Sequence, residues 1–156
     1  MQNCDICGHL QSGANQVALT DYWAVLLAPD QGYLGRCYVT LREHKGSLAD
    51  LSEDEWVDYA GIVRKLEHSV AEAFGAAPSN WACMMNNAYR QTPANPHVHW
   101  HFRPRYNKSY TLNGVTFDDP LYGHHYDRDQ RKTVDSRTFE LIRETLQEAF
   151  ASETNQ

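Results

Sequence analysis

The stretch Asn95-Pro96-His97-Val98-His99-Trp100-His101-Phe102-Arg103-Pro104-Arg105-Tyr106 decides how the chain is read. Successive side chains of a β-strand point to opposite faces, so His97, His99 and His101 share one face. Val98, Trp100 and Phe102 share the other, and that alternation of bulky apolar residues is itself a strand signal. Pro96 and Pro104 bound the strand, because neither donates a hydrogen bond to a ladder. Three imidazoles in one row are a demanding way to build a sheet face. Each neutral ring, once buried, needs a donor and an acceptor satisfied, and neighbouring imidazolium ions repel. Three readings follow. The histidines form an ordinary solvated strand face; or together they make a metal centre, imidazole being the commonest metal ligand; or a neutral imidazole attacks phosphorus while its neighbours hold the phosphate oxygens.

Working outward, 156 residues suit one domain spanning 1–156 with a real core. Apolar and charged fractions of 42% and 22% are those of a globular protein rather than a disordered one. A net charge of −6 argues against coating nucleic acid by bulk electrostatics, so no nucleic-acid partner is expected. A phosphate ligand would instead need local cations, for which Arg103, Arg105 and Lys108 are the candidates. No apolar run is long enough to span a bilayer, and the N-terminal residues show no basic segment followed by an apolar one. The expectation is a cytoplasmic protein with no membrane partner.

The four cysteines are of two kinds. Cys37 and Cys83 sit in apolar, strand-like stretches and read as small core residues. Cys4-Asp5-Ile6-Cys7 is a Cys-x-x-Cys pair, for which a reducing compartment favours metal or redox use over a disulfide. A redox dithiol usually opens a helix, and Gly8 and Ser12-Gly13 support a helix poorly. A turn suited to tetrahedral Zn²⁺ is expected instead, with two further ligands arriving from elsewhere and His9 as a local candidate. A metal-free thiol pair is the alternative.

Residues 17–28 and 33–41 read as two strands broken by Pro29-Asp30-Gln31-Gly32. Ser52 and Glu55 make a capping box for a helix on which Trp56, Ala60, Val63, Leu66, Val70 and Phe74 recur at helical spacing until Gly75. Tyr59 falls beside that stripe, and His68 reads as a surface residue. Residues 80–87 read as a core strand ending in amides, and Asn113-Gly114 marks a short hairpin. Gly123-His124-His125 lies in an irregular segment, where one imidazole is placed to reach the site or a second metal. A helix capped near Asp135 closes the chain, with Phe139, Ile142, Leu146 and Phe150 as its buried edge. The fold class is α+β: an antiparallel sheet with helices packed on it.

The segment His97-Val98-His99-Trp100-His101-Phe102 resembles the signature of the histidine triad superfamily, His-φ-His-φ-His-φ-φ with φ apolar. Arg103 stands where a seventh apolar residue is usual. With Arg103-Pro104-Arg105-Tyr106 behind it, the stretch is similar to the bacterial and archaeal branch that resembles diadenosine polyphosphate hydrolases. Gly35 and His44 match the family's second hairpin strand, whereas Arg36 replaces a histidine and Leu41 a proline. No catalytic role is carried over to Arg36. Asp30 lies near, but out of register with, the acidic residue that often holds ribose in the family.

The resemblance implies a nucleotidyl hydrolase or transferase working at the α-phosphate of nucleoside phosphoramidates or dinucleoside polyphosphates. His99 would be the nucleophile, its other ring nitrogen held by a main-chain carbonyl, and His101 would steady the phosphate oxygens. Asn86, with Asn87 next, would contact phosphate or ribose, and Gln91 and Thr92 are of the type that touches the leaving group. Arg103 is a further candidate for binding substrate. Relatives with an N-terminal Cys-x-x-Cys, and the related galactose-1-phosphate uridylyltransferases, complete a structural zinc site with two histidines, implying Cys4, Cys7, His44 and His97 here. A nucleotide substrate and a homodimer are further expectations from resemblance. The rival readings are a zinc-dependent metallohydrolase using the triad as ligands and a nucleotide-binding module without turnover.

Overall fold

Strand alternation around the triad sorts the sheet into two chemically different faces. The computed structural model describes residues 4–153. In chain order it contains α1 (Asp5–Ser12), β1 (Gln16–Leu19), β2 (Trp23–Leu27), β3 (Cys37–Leu41), α2 (Glu53–Phe74), β4 (Ser79–Cys83), β5 (His99–Pro104), β6 (Tyr110–Leu112), β7 (Val115–Phe117) and α3 (Ser136–Ser152). The main sheet has five strands in the order β1-β2-β3-β5-β4, and every pairing in it is antiparallel. The fold is α+β, as expected.

Directly opposed residues share a face. Val25 pairs with Val39, Val39 with Trp100, and Cys37 with both Leu27 and Phe102. This apolar face meets Ile62, Leu66, Val70 and Phe74 of α2 and Ile142, Leu146 and Phe150 of α3 in one continuous core. Burying each such side chain contributes on the order of 1.5–3 kcal/mol. On the opposite face Tyr38 pairs with His101 and Thr40 with His99. The core thus occupies one side of β5 and the histidines the other.

The helix starts follow their caps. Ser52 and Glu55 close a reciprocal capping box, and Gly75, with φ of 72°, ends α2 in the left-handed conformation that glycine takes without strain. Asp135 accepts the Thr138 amide at the start of α3. Asn113 and Gly114, both with positive φ, turn β6 into β7.

Several expectations need correction. Cys4-x-x-Cys7 is not a free-standing turn: Cys4 precedes and Cys7 lies within α1, which ends at Gly13 in the left-handed region. Long-range contacts of both cysteines hold this short helix where local propensity is weak. Residues 17–28 form two antiparallel strands, because Thr20 accepts and returns hydrogen bonds with Trp23 and folds the chain back. Only Cys37–Leu41 of the second expected strand is extended. The strand before the triad stops at Cys83, and Asn86–Arg90 is a 3₁₀ turn. On α2 the buried stripe runs through Glu55, Tyr59, Ile62, Leu66 and Val70, while Trp56 is 38% exposed and Ala60 is exposed. Tyr59 therefore belongs to the core, where it stacks on Trp100 at 4.9 Å between ring centroids.

Candidate active site

His97 lies two residues before β5, yet its position is fixed by main-chain bonds. The Val98 amide donates to the Lys45 carbonyl at 2.8 Å, and the Leu41 amide donates to the Val98 carbonyl at 3.1 Å. These bonds lay residues 41–45 alongside the triad and bring His44 to 4.8 Å from His97, ring centroid to centroid. Lys45 is pinned in turn by Glu55, at 2.6 and 2.8 Å. Burial alone would raise the Glu55 carboxyl, but the bonds from Lys45 and Ser52 outweigh it and hold the group below its ordinary value.

The four sequence-chosen metal ligands converge. The donor atoms of Cys4, Cys7, His44 and His97 all lie within 4.8 Å of one another. Cys4 Sγ and Cys7 Sγ stand 3.4 and 3.5 Å from His97 Nδ1, and Cys7 Sγ stands 3.4 Å from His44 Nδ1. Zinc bonds of about 2.0–2.3 Å put neighbouring ligand atoms of a tetrahedron roughly 3.3–3.8 Å apart, so these separations suit the ion. His97 Nε2 donates to the Leu41 carbonyl at 2.7 Å, which leaves Nδ1 unprotonated and facing the thiols. Burial pushes the Cys7 thiol up, the Cys4 sulfur adds to that, and burial also holds the His97 imidazole below its ordinary range. A half-buried pair of sulfurs beside a neutral, buried imidazole is a donor set that a divalent cation completes. Exposed His9 is not part of the cluster.

His99 and His101 lie on the open face, 5.0 Å apart between ring centroids, with Tyr38 edge-on to each at 6.3 and 5.2 Å. His99 Nδ1 donates to the His97 carbonyl at 2.8 Å, so its Nε2 keeps the lone pair. His101 is pushed down to about 4, first by burial and then by the charges of His99, Arg103 and Arg36. Its Nδ1 is buried without a hydrogen-bond partner in the protein.

Three adjoining cavities meet at His101 and Asn87. One of about 340 Å³ reaches from both histidines to Gln91, Asn95 and Cys4. One of about 210 Å³ passes under Ile6 and His9 of α1. The third, about 490 Å³, is walled by Asn86, Arg103 and further arginines. The predicted set Asn86, Asn87, Gln91, Arg103, His99 and His101 is thus brought together.

Other expectations are not met. Arg105 is consumed structurally: it pairs with buried Asp119 at 2.6 Å and bonds Asn80 and the carbonyls of Leu121 and His124. Exposed Lys108 lines none of these cavities. His124 and His125 border a separate depression with Trp81 and Asn80, away from the triad, and form no metal cluster among the described residues. Asp30 is a structural hub that accepts from Arg36, the Gly32 amide and the Lys132 amide. Sequence reading missed Tyr38, Met84 and Arg36 as site residues. Only the pairing register, which opposes Tyr38 to His101, could have found Tyr38.

The architecture is that of the histidine triad proteins. A hypothetical histidine triad nucleotide-binding protein from Sulfolobus tokodaii matches with a TM-score of 0.67 and 18% identity, over 96% of this chain and 93% of that one. A zinc-bound histidine triad family protein from Mycobacterium smegmatis matches at 0.60 and 20% identity, over 96% and 97%. A uridylyltransferase matches at 0.66 and 14% identity, with 96% of this chain aligned to 46% of that one. No family model matches the chain, and no curated protein is similar to it in sequence. No helix among the described residues is long and apolar enough to cross a membrane.

Proposed function

We propose that this chain is a nucleotidyl hydrolase or transferase that works through a covalent intermediate on His99, with a nucleoside phosphoramidate or dinucleoside polyphosphate as substrate. The observation that carries the reading is the 2.8 Å bond from His99 Nδ1 to the His97 carbonyl, which presents the unprotonated Nε2 beside the cavities. A nucleophile needs a free lone pair and a fixed direction, and this bond supplies both. The histidine triad fold and the neighbours that share it, a nucleotide-binding protein and a uridylyltransferase among them, support the same class of chemistry.

His99 Nε2 attacks the α-phosphorus. A P–N bond forms as the bond to the leaving group breaks, and the leaving group takes the electron pair, a polyphosphate departing as its anion and an amine departing after taking up a proton from solvent. Water then attacks the same phosphorus, the P–N bond breaks, the pair returns to Nε2, and the water proton goes to solvent. Neutral His101 donates one hydrogen bond to the phosphate oxygens as charge develops there. Asn87 reaches all three cavities and orients the phosphate or ribose, with Asn86 and Gln91 on either side.

Cys4, Cys7, His44 and His97 would hold a structural zinc ion, which when bound crosslinks α1 to the triad. With four protein ligands such an ion would have no open position for substrate. Neither His99 nor His101 belongs to that donor cluster, which favours this reading over a triad-bound catalytic metal. A reducing cytoplasm would keep the Cys4 and Cys7 thiols available to the ion. A homodimer is part of the reading, and the edge position of β4, whose side chains are all half-buried, supports it.

The test is acid-quenched mass spectrometry after mixing with adenosine phosphoramidate or diadenosine tetraphosphate. A nucleotidyl adduct on His99 is expected. Wild-type turnover in His99→Ala would overturn the nucleophile's identity, and binding of the nucleotide without any turnover would favour the non-catalytic module.

A further inference from the structure

Past His101 the groove becomes strongly cationic. Arg36 precedes β3, and Arg103 lies on β5 one step beyond the Cys37–Phe102 pair, so the two arginines face each other across the sheet. Like charges at opposed positions of a sheet repel. Both residues are also more than nine-tenths buried, at 9% and 6% exposure. Arg36 Nη1 is answered by Asp30 at 2.6 Å, but its Nε is buried without a hydrogen-bond partner. Arg103 forms no ion pair among the described residues: its guanidinium lies 4.3 Å from the Tyr126 ring centroid, and its Nη1 is buried and unpartnered. Burial, and then the charge of Arg36, lower its affinity for its own proton.

Exposed Arg128 and Arg131 close the other side of the same 490 Å³ cavity, together with the Asp129 carboxylate. Arg131 shares Asp30 with Arg36, at 3.8 Å. Four guanidinium groups therefore meet two carboxylates, Asp30 and Asp129, beside the phosphate-handling histidine. Buried polar groups are rarely left unpaired, and a planar guanidinium fork matches phosphate oxygens.

We propose that the cavity walled by Arg36, Arg103, Arg128 and Arg131 is a subsite for a second phosphate, beyond the one that His99 attacks. The proposal rests on the nucleotidyl-transfer reading and narrows its substrate. The second phosphate comes from one of two sources. As part of a polyphosphate leaving group, it departs with the electron pair of the broken P–O bond, and the guanidinium charge stabilises the departing anion without protonation. As free inorganic phosphate, its oxygen attacks the nucleotidyl-His99 phosphorus, the P–N bond breaks, Nε2 recovers its pair, and a nucleoside diphosphate forms.

The probes are inorganic tripolyphosphate, diadenosine tetraphosphate and adenosine phosphoramidate, whose leaving group carries no phosphate. Isothermal titration with tripolyphosphate should show binding to the full chain that weakens at least about tenfold in Arg128→Ala/Arg131→Ala and in Arg103→Gln. In the same variants kcat/KM for diadenosine tetraphosphate should fall at least about tenfold further than kcat/KM for the phosphoramidate. Arg103→Lys, which keeps the charge and loses the fork, should fall between. Added inorganic phosphate separates the sources: a switch of product from AMP to ADP identifies an acceptor, and AMP throughout identifies the leaving-group chain. Undiminished tripolyphosphate binding in the surface double variant and in Arg103→Lys, or equal losses on both substrates, overturns the proposal. The titration needs no turnover, so a failed nucleophile test on His99 would leave its result readable by itself.

Discussion

The carbonyl of His97 holds the ring of His99: a 2.8 Å bond from Nδ1 fixes which nitrogen of the second histidine is free. The same residue turns its own Nδ1 toward Cys4 and Cys7 and its Nε2–H toward the Leu41 carbonyl. His97 therefore couples a metal-type donor cluster to the orientation of the His99 ring, the proposed nucleophile, through two residues of backbone.

Replacing His99 by alanine should lower kcat by roughly three orders of magnitude or more, because no other nitrogen stands at that place. The ring is only half-buried and outside the core, so the melting temperature should stay within about 2 °C of wild type. Steady-state kinetics beside a thermal melt checks both halves.

Stripping metal with a chelator, or changing Cys4→Ser or His44→Ala, should lower the melting temperature by at least about 5 °C, since four long-range donors lose their crosslink. Elemental analysis should find about one zinc per chain in the wild type and little in either variant. Activity assayed well below the melt should outlast chelation. Prompt loss at a temperature where the fold survives would contradict a structural role.

Glu55 is 2% exposed, completes the capping box and accepts both bonds from Lys45. In Glu55→Gln the Lys45 cation loses its carboxylate partner and the capping box loses its charge, so the chain should be less stable. The urea midpoint should drop with no change in slope. Because the Lys45 main chain positions Val98, zinc affinity should weaken as well.

His101 is held down to about 4 in the folded chain, against an ordinary 6.5. Between those values the unfolded chain binds the extra proton, so stability is fully present above about 6.5 and declines as pH falls toward 4. Urea midpoints measured across that window should fall with acidification, and His101→Phe should flatten the slope.

Asn87 borders every one of the three cavities around the triad. Losing one hydrogen bond to a charged phosphate is worth about 1.5–3 kcal/mol, so Asn87→Ala should reduce kcat/KM by roughly 10- to 150-fold. The effect of Gln91→Ala should be smaller and appear mainly when leaving groups are compared.

Much of this was legible because the signals are local. A period-two alternation in β5, the Ser52–Glu55 box and the Asn113-Gly114 turn each depend on a handful of adjacent residues. The short helix around Cys7 was not legible, since its stability comes from His44 and His97, 37 and 90 residues away. The rotation of α2 that buries Tyr59 and exposes Trp56 was hidden for a similar reason. Several apolar stripes are available on that helix, and packing on Trp100 and Trp81 chooses among them.

By itself the sequence determined that His99 and His101 share a strand face with bulky apolar residues behind them, because side-chain direction along a strand follows from chain geometry alone. Only the tertiary structure decided which cations face the triad cavities. Strand register opposes Arg36 to Arg103, while the Asp119 carboxylate takes Arg105 out of play. Residue spacing cannot encode a partner that arrives from another strand, and for a buried charge the partner is what fixes its role.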